Sequence, residues 1–177
     1  MKQVYLLTGK PGAGKTSLIK QTVAGMGGKA GGFYTEEIRS GGARLGFRLV
    51  TLDGESAILS HVNINSPYRV SKYGVDIDNL DRVGVSALHK AAEECNLVII
   101  DEIGKMELFS VNFREAVLRI IDSGKRVLGT IMLSANPWAD AIKRRPQVNL
   151  ITVTRATCHQ VLEELLCWLK ATEPLKL

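Results

Sequence analysis

Gly9-Lys10-Pro11-Gly12-Ala13-Gly14-Lys15-Thr16 fits the pattern G-x-x-x-x-G-K-[ST], and its flanks give the pattern a mechanism. Gln3 to Thr8, just before it, reads as a buried strand. After it, Leu18, Ile19, Val23 and Met26 fall at helical spacing, until Gly25, Gly27 and Gly28 end the helix. A glycine-rich loop between a strand and a helix folds tightly enough for successive backbone N–H groups to point inward. The positive end of the helix adds to its attraction for phosphate oxygens. In such a loop Lys15 reaches the β- and γ-phosphates of a nucleotide, and the Thr16 hydroxyl ligates Mg²⁺.

A second stretch, Leu97-Val98-Ile99-Ile100-Asp101-Glu102, is four apolar residues ending in two acids. A buried strand ending there presents Asp101 at the carboxyl edge of a sheet, where it can hold an Mg²⁺-bound water beside the phosphates. Glu102, one residue on, is expected to point elsewhere and to orient or deprotonate the attacking water. In P-loop enzymes with a glutamate at that position, one extra strand lies between the two motif strands. Arg126 to Ile131 is the natural candidate, and it would bring Thr130 near the γ-phosphate as a polar sensor.

The rest of the chain alternates short apolar runs with helix-period stretches, the pattern of an α/β fold whose mainly parallel sheet is flanked by helices. Phe33 to Arg39, Arg44 to Leu52 and Ala57 to Val62, joined by Ser40-Gly41-Gly42-Ala43 and Asp53-Gly54, form an antiparallel meander expected to extend one sheet edge. This elaboration occupies residues 32–64. Asp78 is a candidate N-cap for a helix carrying Leu80, Val83, Ala87, Leu88 and Ala91. Ser110 caps another, with Phe113, Val117, Ile120 and Ile121 inward. Asn136-Pro137 opens a helix with Trp138, Ala141, Ile142 and Arg145 on one side, and Thr157-x-x-Gln160 offers a capping box for a closing helix. Strands are expected at Arg126 to Leu133 and Val148 to Val153. No linker interrupts residues 1–177, so one domain is expected.

Composition narrows the class. With 177 residues, 45% hydrophobic and 23% charged, the chain is long enough for one core and too mixed for a disordered, collagenous or membrane-bundle protein. Its longest apolar runs are far short of the ~20 residues that span a bilayer, and a cytoplasmic location is expected. The three cysteines show no metal-ligand spacing and read as small buried hydrophobes; the three histidines are scattered without partners. A net charge of +5 suits an anionic ligand. It leaves a nucleic-acid partner open without favouring one, because aromatics, at 6%, are not interleaved with basic residues. No Asn-Lys-x-Asp guanine reader is present, and no motif specifies a base or an oligomeric state.

Several further blocks extend the pattern: Gly32-Phe33-Tyr34-Thr35-Glu36-Glu37-Ile38-Arg39, Gly46-Phe47 with Val50-Thr51-Leu52, Ile100 through Phe109, and Leu128-Gly129-Thr130-Ile131. With Gly9 to Thr16 they resemble the small P-loop nucleoside-triphosphatases first described from thermophiles, whose vertebrate counterpart is called cancer-related nucleoside-triphosphatase. The resemblance implies hydrolysis of nucleoside triphosphates to diphosphate and phosphate, with broad base tolerance, on a RecA-like sheet. Carried over residue by residue, it implies a phosphate loop of Gly9, Lys10, Pro11, Gly12, Ala13, Gly14, Lys15 and Thr16. Asp101, Glu102, Ile103, Gly104 and Lys105 form a second nucleotide-site segment, with Thr16 and Asp101 holding Mg²⁺. Lys105 and Glu107 are site candidates or, alternatively, a solvated ion pair. Arg145 resembles a basic residue of the family and either neutralises transition-state charge, like an arginine finger, or belongs to a solvated basic face. Glu37 and Arg39 line the cleft or merely guard a sheet edge. Two rivals use the same loop: a nucleoside or metabolite kinase, and a nucleotide-switched ATPase that binds nucleic acid.

Overall fold

Leu97, Val98, Ile99 and Ile100 are wholly inaccessible to solvent because the sheet they enter is covered on both faces. Leu97 and Ile99 face one apolar core, with Leu18, Ile19, Val161, Leu165 and Trp168; Val98 and Ile100 face the other, with Leu88, Phe113, Val117, Ile120 and Ile142. A computed structural model describes residues 2–171. The strands are β1 (Val4–Thr8), β2 (Ala30–Ser40), β3 (Ala43–Thr51), β4 (Ser56–His61), β5 (Arg69–Val70), β6 (Tyr73–Val75), β7 (Leu97–Ile103), β8 (Arg126–Ile131) and β9 (Val148–Thr152). The helices are α1 (Lys15–Ala24), α2 (Ile77–Asn79), α3 (Ser86–Glu94), α4 (Val111–Asp122), α5 (Pro137–Lys143) and α6 (Cys158–Lys170). Among the described residues no helix is long and apolar enough to cross a membrane.

One mixed sheet runs in the order β5-β6-β4-β3-β2-β7-β8-β1-β9. β2, β7, β8, β1 and β9 are mutually parallel, with α1 and α6 on one face and α3, α4 and α5 on the other. As the adjacent acids imply, β8 separates β1 from β7. The expected meander is β2-β3-β4, and it does extend one edge. Its first strand is shared. β2 pairs in parallel with β7 only from Ala30 to Phe33, then runs on to Ser40 paired with β3. The meander thus overhangs the carboxyl edge of the parallel strands and walls one side of the space above the phosphate loop.

Local expectations fare unevenly. Ser110 caps α4 by accepting from Phe113 N, and Asn136 caps α5 by accepting from Trp138 N and Ala139 N. The Asp78 cap is corrected to Asp76, whose carboxylate accepts from Asn79 N, and a wide π-turn over Leu80–Val85 follows before α3. Thr157 makes no cap bond to α6; its hydroxyl accepts instead from Thr154 N. On α5 the buried residues are Ala139 and Ile142, not Ala141. β8 stops at Ile131 rather than Leu133, β9 ends at Thr152, and the β5–β6 hairpin, too short to leave a periodic pattern, was not expected. Of the cysteines only Cys95 is buried; Cys158 is half-buried and Cys167 exposed.

Candidate active site

The site forms where β1 and β7 end. Gly14 has φ 97°, a left-handed conformation that glycine adopts without steric cost, and α1 starts at the next residue. The turn places Lys15 over the loop, where its Nζ donates to Gly9 O at 2.8 Å and Lys10 O at 3.0 Å. The Thr16 hydroxyl donates to Asp101 Oδ2 at 2.8 Å, tying the first helical turn to the β7 strand end.

β7 is irregular at its two acids. Ile100 faces Gly129 and Ile103 faces Ile131, so Asp101 and Glu102 together oppose the single residue Thr130. In a regular strand neighbours point to opposite faces. The bulge re-aims them, and both acids line one cleft, in place of the expected divergence of Glu102. Thr130 donates to Asp101 Oδ1 at 2.8 Å, and Thr35 of β2 donates to Asp101 O at 2.5 Å. The Thr130 hydroxyl is therefore committed to Asp101.

Burial governs the electrostatics. Asp101 is 2% exposed, and desolvation raises its pKa against the opposing hydrogen bonds from Thr130 and Thr16. Glu102 is also raised, by desolvation first and then by the charge of Asp101, with Lys15 acting in the opposite direction. Glu107 is the most perturbed. Desolvation, followed by the charge of Glu102, pushes it up to about 8, although its Oε2 accepts from Gly104 N at 3.1 Å. A side chain at Gly104 would lie 2.9 Å from Glu102 Oε1 and 3.0 Å from Glu107 Oε2, so glycine is what lets the two carboxyls close over it.

The cleft encloses about 880 Å³. Gly9, Pro11, Gly12, Gly14, Lys15 and Thr16 line it with Asp101, Glu102, Gly104 and Lys105. Three predicted loop or strand residues do not. Lys10 is exposed and contributes only its carbonyl to Lys15, while Ala13 and Ile103 are buried in the two cores. Glu37 lines the cleft and Arg39 lines an adjoining pocket. Lys105 and Glu107 form no ion pair, because Glu107 turns inward to the Gly104 amide. Arg145 needs the largest correction. It pairs with Asp122 at the end of α4, next to Gln147, whose carbonyl accepts from Val4 N at the start of β1. The short α5 has carried the chain back to the amino edge of the sheet, a strand length of roughly 13 Å from the phosphate loop at ~3.3 Å per residue. No arginine finger comes from Arg145 within this chain.

Two contacts escaped sequence reading. Thr35 anchors Asp101 from the meander, and its only signal was membership of the Tyr34-Thr35-Glu36-Glu37 block. The Cys158 thiol donates to Ala13 O at 3.2 Å, bracing the phosphate loop from α6, with no spacing to mark it.

A sequence profile described as NTPase matches residues 4–166. The chain is 47% identical over 165 residues to nucleoside-triphosphatase THEP1 of Thermotoga maritima, covering 93% of this chain and 94% of that one. It is 37% identical to the human cancer-related nucleoside-triphosphatase, covering 93% and 95%. The crystal structure of THEP1 from Aquifex aeolicus superposes with a TM-score of 0.87 at 37% identity, over 94% of this chain and 99% of that one. The solution structure of the human protein gives 0.80 at 34% identity, over 98% and 100%. A P-loop α/β sheet with a bulged acid pair, matched over nearly its whole length by these proteins, belongs to the nucleoside-triphosphatase family.

Proposed function

We propose that the protein is a cytoplasmic, Mg²⁺-dependent enzyme that hydrolyses nucleoside triphosphates of more than one base to the diphosphate and phosphate. The observation that carries this reading is the β-bulge that turns both Asp101 and Glu102 into the cleft of the phosphate-loop lysine. Both relatives are named for nucleoside triphosphates as a class, which supports breadth. The donor set suits magnesium. Thr16 Oγ1 and Asp101 Oδ2 are hard oxygens 2.8 Å apart. When bound with substrate, such an ion neutralises charge on the β- and γ-oxygens.

The chain's own residues do the rest. Loop N–H groups and Lys15 hold the phosphate tail, and Glu102 accepts the proton of the attacking water. Burial raises the Glu102 pKa, which makes its carboxylate a stronger base and brings it closer to the operating pH. Asp101, held by three hydroxyls, is fixed rather than reactive. Because the transition state is loose, positioning and electrostatics carry most of the acceleration.

Replacing Glu102 by Gln tests this directly. Phosphate release should fall by ~10²–10⁴-fold, while calorimetry with Mg²⁺ and a non-hydrolysable ATP analogue should show near-native affinity. Unchanged turnover would remove Glu102 from the role. A release screen over ATP, GTP, CTP and UTP, with and without Mg²⁺, tests breadth and metal dependence together.

A further inference from the structure

The cleft continues past Glu102. Arg44, Phe47, Val70 and Met106 line both the phosphate-loop cleft and an adjoining pocket of about 560 Å³ that adds Arg39, Lys72 and Tyr73. Direction matters here. In-line displacement puts the nucleophile opposite the leaving β–γ oxygen. In the strand order β3 and β2 lie beyond β7 from the phosphate loop that follows β1, so with Glu102 of β7 holding that nucleophile the extension lies on the side of the γ-phosphate away from the nucleoside. It is not where the hydrolysed nucleotide's own base sits.

The extension has a definite chemistry. Phe47 and Tyr73 meet edge to face, with centroids 5.5 Å apart and planes at 73°. The Arg44 guanidinium lies 5.0 Å from the Phe47 centroid and 5.8 Å from that of Tyr73, and Lys72 Nζ lies 5.6 Å from Tyr73. Arg39 Nε donates to Glu37 Oε2 at 2.6 Å and Arg44 Nη1 donates to Glu37 Oε1 at 2.9 Å, so two guanidiniums converge on one carboxylate-sized anion. Against that one acid stand Arg39, Arg44 and Lys72, and Lys72 has no ion pair among the described residues.

The wall is held under strain. Ser71 has φ 54°, the sole left-handed non-glycine residue among those described, in a two-residue turn between Val70 and Tyr73. Arg69 clamps that turn, donating to Lys72 O at 2.9 Å and Ile64 O at 3.3 Å. Strain of this kind persists where the surrounding structure over-determines the backbone, and it clusters at ligand sites.

We propose that this basic, ring-lined pocket is a second ligand site, for a molecule that joins a phosphate monoester to a flat ring, of which a nucleoside 5′-monophosphate is the simplest member. Tyr73 itself is buried, so the half-buried Phe47 ring and the Arg44 guanidinium beside it take the ligand ring by stacking and cation–π contact, and the surplus cations take the phosphate. A volume of about 560 Å³ with one accessible ring fits one nucleotide rather than a strand. The placement rests on the triphosphate lying as assigned above.

The experiment first fills the phosphate-loop site with Mg²⁺ and a non-hydrolysable ATP analogue, then titrates adenosine 5′-monophosphate by calorimetry. Saturable one-to-one binding is expected. It should weaken at least tenfold in Lys72→Glu and in Arg39→Glu, and less than twofold in Arg119→Glu, which alters net charge equally on α4. Adenosine alone and inorganic phosphate should each bind at least tenfold more weakly than the monophosphate. The proposal is overturned by absence of binding, by binding that the analogue displaces, or by binding indifferent to both pocket variants. Tenfold tighter binding of a single-stranded ten-mer RNA with the same dependence on Lys72 would replace it with a nucleic-acid surface. Failure of the analogue itself to bind, or its survival in Lys15→Ala, would instead count against the triphosphate assignment.

Discussion

The parallel half of the sheet and its antiparallel extension meet in one strand and are held in place differently. β7, β8 and β1 are buried on both faces and mostly apolar, so position is fixed by packing from two cores, while β9 at the sheet edge is only half covered. Past Phe33 the extension still packs Leu49, Leu59 and Val75 into one core, but its exposed side chains carry ion pairs: Glu37 of β2 with Arg39 and with Arg44 of β3, and Glu55 ahead of β4 with Arg82. Exposed pairs of this kind contribute about 0–1 kcal/mol each. The rigid half can hold Asp101 and the phosphate loop to within the tolerance that phosphoryl chemistry needs. The polar half presents exchangeable cations to whatever occupies the space beyond. One fold thus joins a half packed from two cores to a half with an exposed, charged surface.

Phe33 is the residue at which that division can be broken. It is the last β2 residue paired to β7 and the first paired to β3, it is wholly buried, and its ring lies 6.4 Å from that of Phe113. Truncation to Ala should cost about 3–5 kcal/mol in denaturant unfolding, the range for a large buried aromatic. If the halves act as one unit, a single transition moves to lower denaturant. Two transitions would show that the meander unfolds separately from the phosphate-loop half.

The same contrast governs how much the amino-acid sequence disclosed. Gly9 to Thr16 and Leu97 to Glu102 were legible because local chemistry dictates them: a loop that must bend, a strand that must be buried. The inserted β8 followed from the adjacency of two acids. What stayed hidden depends on pairing between distant segments. The bulge at Asp101 and Glu102 exists only relative to Thr130 on β8, and the overhang of β2 exists only because β7 stops pairing at Phe33. Arg145 was misplaced because periodicity locates a residue on a helix but not at which end of the sheet that helix finishes. Glu107, a site candidate or else half of a solvated ion pair with Lys105, does line the cleft, but its burial by the 3₁₀ turn over Glu107–Phe109 left no mark in the sequence.

Glu107 sharpens the comparison through pH. Its folded pKa is about 8, against an ordinary value of 4.5, chiefly because burial disfavours the carboxylate. The native state therefore binds more protons than the unfolded state between those values. The stability this group contributes is fully present below pH ~4.5 and declines as pH rises toward 8. Glu107→Gln, which keeps a neutral acceptor for the Gly104 amide, should remove that decline. The variant's advantage in unfolding free energy should grow across this window to a few kcal/mol and then level off. A pH-independent difference would mean that Glu107 is not protonated in the native protein. The analogous change at Glu37, whose pKa is lowered chiefly by its hydrogen bonds with Arg39 and Arg44, should give no such window above pH 5.

The smallest effect is the most discriminating for the polar half. Ser71 pays a left-handed backbone cost that glycine would not, about 1 kcal/mol or somewhat more, but glycine forfeits about 0.5–1 kcal/mol to the freedom of the unfolded chain. Ser71→Gly should therefore raise the melting temperature by no more than about 2–4 °C, the shift that ~1 kcal/mol produces in a domain of this size. If the turn is strained in order to hold Lys72 and Tyr73 against the pocket, the freer glycine should weaken adenosine 5′-monophosphate binding by about threefold while stability rises. The two readouts then move in opposite directions. Stability and affinity rising together would mark the Ser71 conformation as incidental to ligand binding and leave the surplus positive charge as the pocket's only selective device.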